Sequence, residues 1–306
     1  MIKSIHLNLI SLFIIVLAAC TTEKTSKNSE NEDQTKTENT EIGPDQYQYS
    51  VEAALKVPEK VDQLRLLDQR LNKFPEDMRA FTNLKAIYLG NNPDIDYQKA
   101  LKSITQVKNL EELSLTNNQL SQLSGDITKL SKLKTLWLDT NPELKFDQVF
   151  SQLSKLPKLK ELSLNDNNIS EIPESISQLE NLEILYLDRN AFSKLPESLK
   201  KLKKLHTISL TGNPQMDMKQ AISLLSEVEN LEVLLLSYNE IKDLPKEIGQ
   251  LGKLEVLWLN NNQLQALPDE IGQLKKLQEM HLFQNPLNPQ IEQFFKEVLP
   301  KVSIEY

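Results

Sequence analysis

The residues able to do covalent or acid–base chemistry are few and scattered. The sequence has one cysteine, Cys20, and three histidines, His6, His206 and His281, with no His-x-x-x-His pair and no paired cysteines at metal-ligand spacing. Seven glycines in 306 residues leave no glycine-rich phosphate loop. Carboxylates are abundant, but they recur where a repeating surface would keep them solvated. Lys200, Lys201, Lys203 and Lys204 likewise read as a solubilising face rather than an anion site. Nucleophile, base and orienting group cannot be assembled from this set, so neither enzymatic activity nor a metal or cofactor is expected. What remains is the chemistry of contact, carried by Tyr88, Trp137, Tyr186 and Trp258, which fall with His281 at one recurring position. Large rings that could have been polar at no cost to a core are the usual anchors of a binding surface.

The elements that must hold these rings are copies of one unit. In Leu254 to Lys276, Leu257 and Leu259 alternate like a strand, Asn262 interrupts, and Leu264, Leu267, Ile271 and Leu274 drift to spacings of three and four. A strand with a curved return cannot bury its own apolar edge and needs neighbours of the same kind. Aligned on L-x-x-L-x-L-x-x-N, ten units begin at Val61, Leu84, Leu110, Leu133, Leu159, Leu182, Leu205, Leu231, Leu254 and Leu277, at intervals of 23 or 26 residues. The pattern resembles the leucine-rich repeat family in its 23-residue bacterial form, from about Val61 to the C-terminus. The resemblance implies an α/β solenoid, a horseshoe with a parallel concave sheet and a convex side of 3-10 and α segments.

In each unit the two leucines that flank one residue, such as Leu113 and Leu115, should point inward, and the residue between them outward. The outward column then reads Arg65, Tyr88, Ser114, Trp137, Ser163, Tyr186, Ser209, Leu235, Trp258 and His281, with Tyr238 and Phe283 just beyond their strands. His206 is expected at an outward strand position as well. Stacked parallel strands would place the rings of the first half about 10 Å apart. Asn92, Asn118, Asn141, Asn167, Asn190, Asn213, Asn239, Asn262 and Asn285 should form a buried ladder that satisfies turn backbone, with Gln69 as an irregular first rung. The units beginning at Leu84, Leu133 and Leu205 are long, carry Asn-Pro after the strand, and predict convex helices at Gln98 to Val107, Gln148 to Leu156 and Lys219 to Val228. The short units carry L-P-x-x-I or a variant and predict 3-10 turns.

The first sixty residues are of a different kind. Residues 1–19 pair a basic start at Lys3 with an apolar run from Leu12 to Leu17 and small residues at Ala18 and Ala19, which reads as a secretory signal too interrupted to be a membrane span. Leu17-Ala18-Ala19-Cys20 resembles a bacterial lipobox, which implies that Cys20 carries acyl chains of the palmitate type and becomes the mature N-terminus. Such chains would hold the protein on a membrane without spanning it. Residues 20–46 are polar and read as a disordered tether. Residues 47–60 read as an N-terminal capping helix with Ser50 as N-cap, 61–290 as the ten repeats and 291–306 as a C-terminal cap.

The net charge of −8, one unit more negative without Lys3, argues against nucleic acid as a partner. The leading expectation is a monomeric, lipid-anchored envelope protein that binds another protein through its concave face. Thr21 after the cysteine resembles lipoproteins sent to an outer membrane. Two other classes stay open: a glycan-binding module for adhesion or wall attachment, and a structural envelope spacer.

Overall fold

The computed structural model describes residues 46–306. The expected signal, Cys20 and most of the tether lie outside these residues. Eleven three-residue strands form one parallel sheet in sequence order. They are β1 (Gln63–Arg65), β2 (Ala86–Tyr88), β3 (Glu112–Ser114), β4 (Thr135–Trp137), β5 (Glu161–Ser163), β6 (Ile184–Tyr186), β7 (Thr207–Ser209), β8 (Val233–Leu235), β9 (Val256–Trp258), β10 (Glu279–His281) and β11 (Ser303–Glu305). The register repeats without slip, so that Leu113, Leu136, Leu162 and Leu185 lie side by side. Leu113 and Leu115 are both fully buried, as are Leu257 and Leu259. The alternation of apolar and outward residues fixes the register, because a slip by one would expose every leucine.

After each of β2 to β10 the chain turns through a residue with positive φ, such as Asn91, Thr140 or Tyr238, and enters the asparagine ladder. Asn141 is fully buried and shows how a rung works. Its Oδ1 accepts the N–H groups of Asn118 and Leu120, and its Nδ2 donates to the carbonyls of Leu115, Leu138 and Asp139. Asn167, which follows a long unit, has fewer bonds: its Oδ1 accepts the Asn141 N–H, and its Nδ2 donates to the Leu138 carbonyl. Gln69 does not join the ladder, and its Nε2 instead donates to the Tyr49 carbonyl of the N-terminal segment at 2.6 Å. That segment contains α1 (Val51–Lys56), whose N-cap Ser50 accepts the Ala53 N–H at 3.3 Å.

The long units form α2 (Tyr97–Ile104), α3 (Phe146–Leu153) and α4 (Met218–Leu225), and α5 (Ile291–Val298) precedes β11. Each convex helix starts one or two residues before the predicted start and ends three before the predicted end. The starts are set by caps that apolar spacing does not reveal: Asp96 accepts the N–H groups of Gln98 and Lys99, and Asp217 that of Gln220. Val107, Leu156 and Val228 are buried, but they sit in the turn that leads to the next strand, where apolar spacing continues without a helix. Five of the six short units close with five-residue 3-10 segments, four of them entered through Pro173, Pro196, Pro245 and Pro268, whereas the first unit, with Phe74-Pro75, has none between β1 and β2. The third unit uses Ser124 instead, whose hydroxyl accepts the Asp126 N–H.

A second polar seam runs along the turns before the strands. Asn109 Nδ2 donates to the Thr82 carbonyl of the preceding unit while its Oδ1 accepts from Lys132 of the next, and Asn181 with Lys204 and Asn230 with Lys253 repeat the arrangement. Close stacking also fixes one glycine. A β-carbon at Gly249 would lie 2.6 Å from the Glu270 carbonyl oxygen, whereas at Gly252 nothing comes nearer than 4.0 Å. Gly249→Ala is therefore expected to cost roughly 1–3 kcal/mol by forcing adjacent units apart, and Gly252→Ala to leave the urea midpoint nearly unchanged. Equal midpoints for the two variants would contradict the packing described.

Candidate functional site

The outward positions of the sheet form the concave face in three rows: the first and third residues of each strand, and the residue two further on. The ring column lies in the middle row, but the rings do not stand apart as expected. Tyr88 and Trp137, both half-buried, lean together across the small, buried Ser114 until their centroids are 5.9 Å apart. The Tyr88 hydroxyl donates to Glu112 Oε2 at 2.5 Å, and the Arg65 guanidinium lies 5.8 Å over the Tyr88 ring. Tyr186 corrects the expectation of an open ring: it is 5% exposed, and burial pushes its hydroxyl pKa well up. Its neighbours cover it, because side chains converge on the inside of a curved sheet.

The open rings gather at the other end. Trp258 is half-buried and stacks on His281 at 5.1 Å, and Phe283 meets His281 edge-on at 6.1 Å. Glu279 lies 2.7 Å from His281 Nε2 and accepts from Trp258 Nε1 at 3.3 Å, while Glu305 lies 3.5 Å from His281 Nδ1. Phe283 is 43% exposed and Tyr238 60%. Tyr238 also occupies the positive-φ turn position, where most units have Asn, Asp, Thr or Gly. A bulky ring there is neither packing filler nor the residue the turn prefers. His206 lies just before β7 rather than in the column, with Nδ1 2.9 Å from Thr207 Oγ1.

The carboxylates on this face are not the solvated surface groups that their number suggested. Asp139 is half-buried and accepts the Ser163 hydroxyl and the Asn165 N–H, and burial pushes its pKa up to about 7. Asp188 repeats the arrangement with Ser209 and Thr211 and is pushed up to about 6. Burial, and then the charge of Glu112, raise Glu161 to about 7. The only trace in the sequence is that Asp139 and Asp188 share one row, two residues past their strands.

These shifts set a pH dependence. Each folded pKa lies above the ordinary carboxylate value near 4, so between the two the folded state holds more protons than the unfolded, and stability falls as pH rises through the window. Carboxylates held low, such as Glu111 beside Lys134, act the other way, but only at lower pH. Acidification from about pH 8 to about pH 5 is therefore expected to raise the melting midpoint by several degrees, and Asp139→Asn to flatten the profile. A midpoint that falls over this interval would contradict the assignment.

Two lysines of the cluster are paired locally: Lys200 reaches Glu197 and Glu227, and Lys203 lies 3.7 Å from Glu229. Two equivalent clefts of about 380 and 160 Å³ open beside α3 and α4 where a long unit meets a short one; they are floored by leucines. Among the described residues, no group of three or more His, Cys, Asp or Glu side chains could hold a metal ion, and no helix is long and apolar enough to cross a membrane.

The sequence matches the family described as leucine rich repeat over residues 157–214 and 229–287, and a further leucine-rich repeat description over residues 109–130. No curated protein matches it. Among solved structures, an internalin of Listeria monocytogenes is 20% identical, with TM-score 0.57 over 84% of this chain and 76% of that one. TLR13 in complex with ssRNA13 is 28% identical, with TM-score 0.59 over 74% of this chain. Toll of Drosophila in complex with Spatzle is 23% identical, with TM-score 0.53 over 70% of this chain. The chain spans 33% and 32% of the lengths of these last two. The open eleven-stranded sheet, the matched repeats and the shared architecture make the fold a leucine-rich repeat solenoid.

Proposed function

We propose that this chain is a lipid-anchored protein of the cell envelope that binds another protein through its concave face. The observation that carries the binding role is the ring cluster of Trp258, His281 and Phe283, which leaves the Phe283 side chain 43% exposed on the inside of the solenoid, with Tyr238, 60% exposed, in the turn after β8. Tyr88 and Trp137 extend the surface along the same column, whereas Tyr186 is too covered to be an anchor. Solved neighbours bear on the partner class in different ways. Toll is seen with Spatzle and TLR13 with an RNA, but a net charge of −8 disfavours an RNA here. Glycan binding draws less support, since Tyr88 and Trp137 tilt together at 5.9 Å instead of offering separate platforms.

Affinity capture with the full chain separates the classes. The bound material is expected to disappear after protease treatment of the extract and to persist after glycosidase treatment, and the reverse would favour the glycan. Anchoring rests on Leu17-Ala18-Ala19-Cys20, with an outer membrane suggested by Thr21. Cys20→Ser is expected to move the protein from the membrane pellet to the soluble fraction after a high-salt wash, and a variant that still pellets would contradict lipid attachment at this residue.

A further inference from the structure

The concave face is chemically divided. Over β2 to β6 its three rows hold Glu112, Glu161, Asp139 and Asp188 around the rings of Tyr88 and Trp137, and none of the fifteen positions is Lys, Arg or His. Over β8 and β9 the two strand rows are Val233, Val256, Leu235 and Trp258. We propose that the half over β2 to β6 docks a basic, extended segment of the partner protein, whose Arg or Lys side chains lie between these rings and carboxylates. This inference rests on the concave face being the binding surface, and it adds the chemistry of what binds.

Charge complementarity carries it, supported by one contact within the chain. Arg65, at the end of the same column, already lays its guanidinium 5.8 Å over the Tyr88 ring, with Nε and Nη2 held by Gln63 Oε1. A planar cation on this ring column is thus geometrically accommodated, and Arg side chains favour such faces. The carboxylates form one group, since Glu161, Asp139 and Asp188 all act electrostatically on the Tyr186 hydroxyl. Asp166 in the adjoining turn is taken by Arg189, with Nε donating to Oδ1 at 2.7 Å. Half-buried carboxylates interact more strongly with an arriving cation than exposed ones, because less water screens them.

Glu161 faces Glu112, Thr135 and Tyr186; Asp139 faces Ser163, Asn165, Asp166 and Asp188; and Asp188 faces Ser209, Thr211 and Arg189. These carboxyl groups hold protons into the neutral range, so a docking cation competes with protons. Binding is expected to weaken on acidification.

The test uses the full chain and two fluorescent probe peptides, hexa-arginine and hexa-citrulline, which share shape but differ in charge. At pH 8 hexa-arginine is expected to bind about tenfold more tightly or better, and Glu161→Gln with Asp139→Asn to weaken it about tenfold. The exposed pair Glu143→Gln with Glu180→Gln, outside the face, should leave it unchanged. Lowering the wild type to about pH 5.5 needs no substitution and should also weaken hexa-arginine while sparing hexa-citrulline. Equal affinity for the two peptides, equal loss in the control pair, or no response to pH would each overturn the proposal. Capture of the natural partner, tested by replacing Trp258 and Phe283, reads the concave-face assignment separately, so either can fail while the other stands.

Discussion

Asn141→Leu is expected to destabilise the array by more than about 3 kcal/mol in urea melts, more than Asn167→Leu and far more than Gln69→Leu. The substitution preserves size but strands the N–H groups of Asn118 and Leu120 and the carbonyls of Leu115, Leu138 and Asp139. Each buried group left without a partner costs roughly 1–3 kcal/mol, and local relaxation recovers only part of the total. Asn167 supports two such bonds, so its loss should be smaller. Gln69 donates to the Tyr49 carbonyl at the N-terminal end, where water can reach the vacated acceptor. In a solenoid an interior break also uncouples both neighbours, whereas a terminal one frays. The order Asn141, Asn167, Gln69 is the checkable content, and equal losses would mean the ladder is not what joins the units.

The second large effect concerns binding. A Trp258→Ala, Phe283→Ala, Tyr238→Ala variant is expected to lose partner capture while remaining folded. Phe283 and Tyr238 are 43% and 60% exposed, so truncating them removes little core. Trp258 gives up its stacking on His281, worth about 0.5–1.5 kcal/mol, which lowers the melting midpoint by a few degrees. Three anchors at about 2 kcal/mol each would reduce affinity by several orders of magnitude. Tyr186→Ala is the contrasting control. At 5% exposure it should destabilise by roughly 3–5 kcal/mol and affect binding only through folding.

Much of this fold was legible because a repeat writes its geometry many times. The leucine spacing gave strand, register and inward face, and the recurring asparagine gave the ladder, each confirmed across the units. The convex helices were legible in place but not in extent, since Asp96 and Asp217 end the chain's approach while Val107 and Val228 prolong the apolar pattern past the last helical residue. The candidate site was legible as a column and not as a surface. Whether a ring stands free depends on what its neighbours leave room for: Ser114 lets Tyr88 and Trp137 close over it, and Tyr186 is shut in. The half-burial of Asp139, Glu161 and Asp188 has the same origin, because side chains from adjacent strands converge inside a curved sheet, a property of the assembled array rather than of any unit.

The central claim, that the concave face holds a protein partner, is tested most directly by site-specific photo-crosslinking in intact cells. A benzophenone amino acid is placed at Phe283 in the ring cluster or at Tyr238 in the turn after β8, and at Glu143 outside the concave face as the comparison. Crosslinks from Phe283 and Tyr238 to one discrete protein, absent from Glu143, are the predicted result. Crosslinks confined to Glu143, or none to any protein from Phe283 and Tyr238 while the chain is folded and in place, would contradict it.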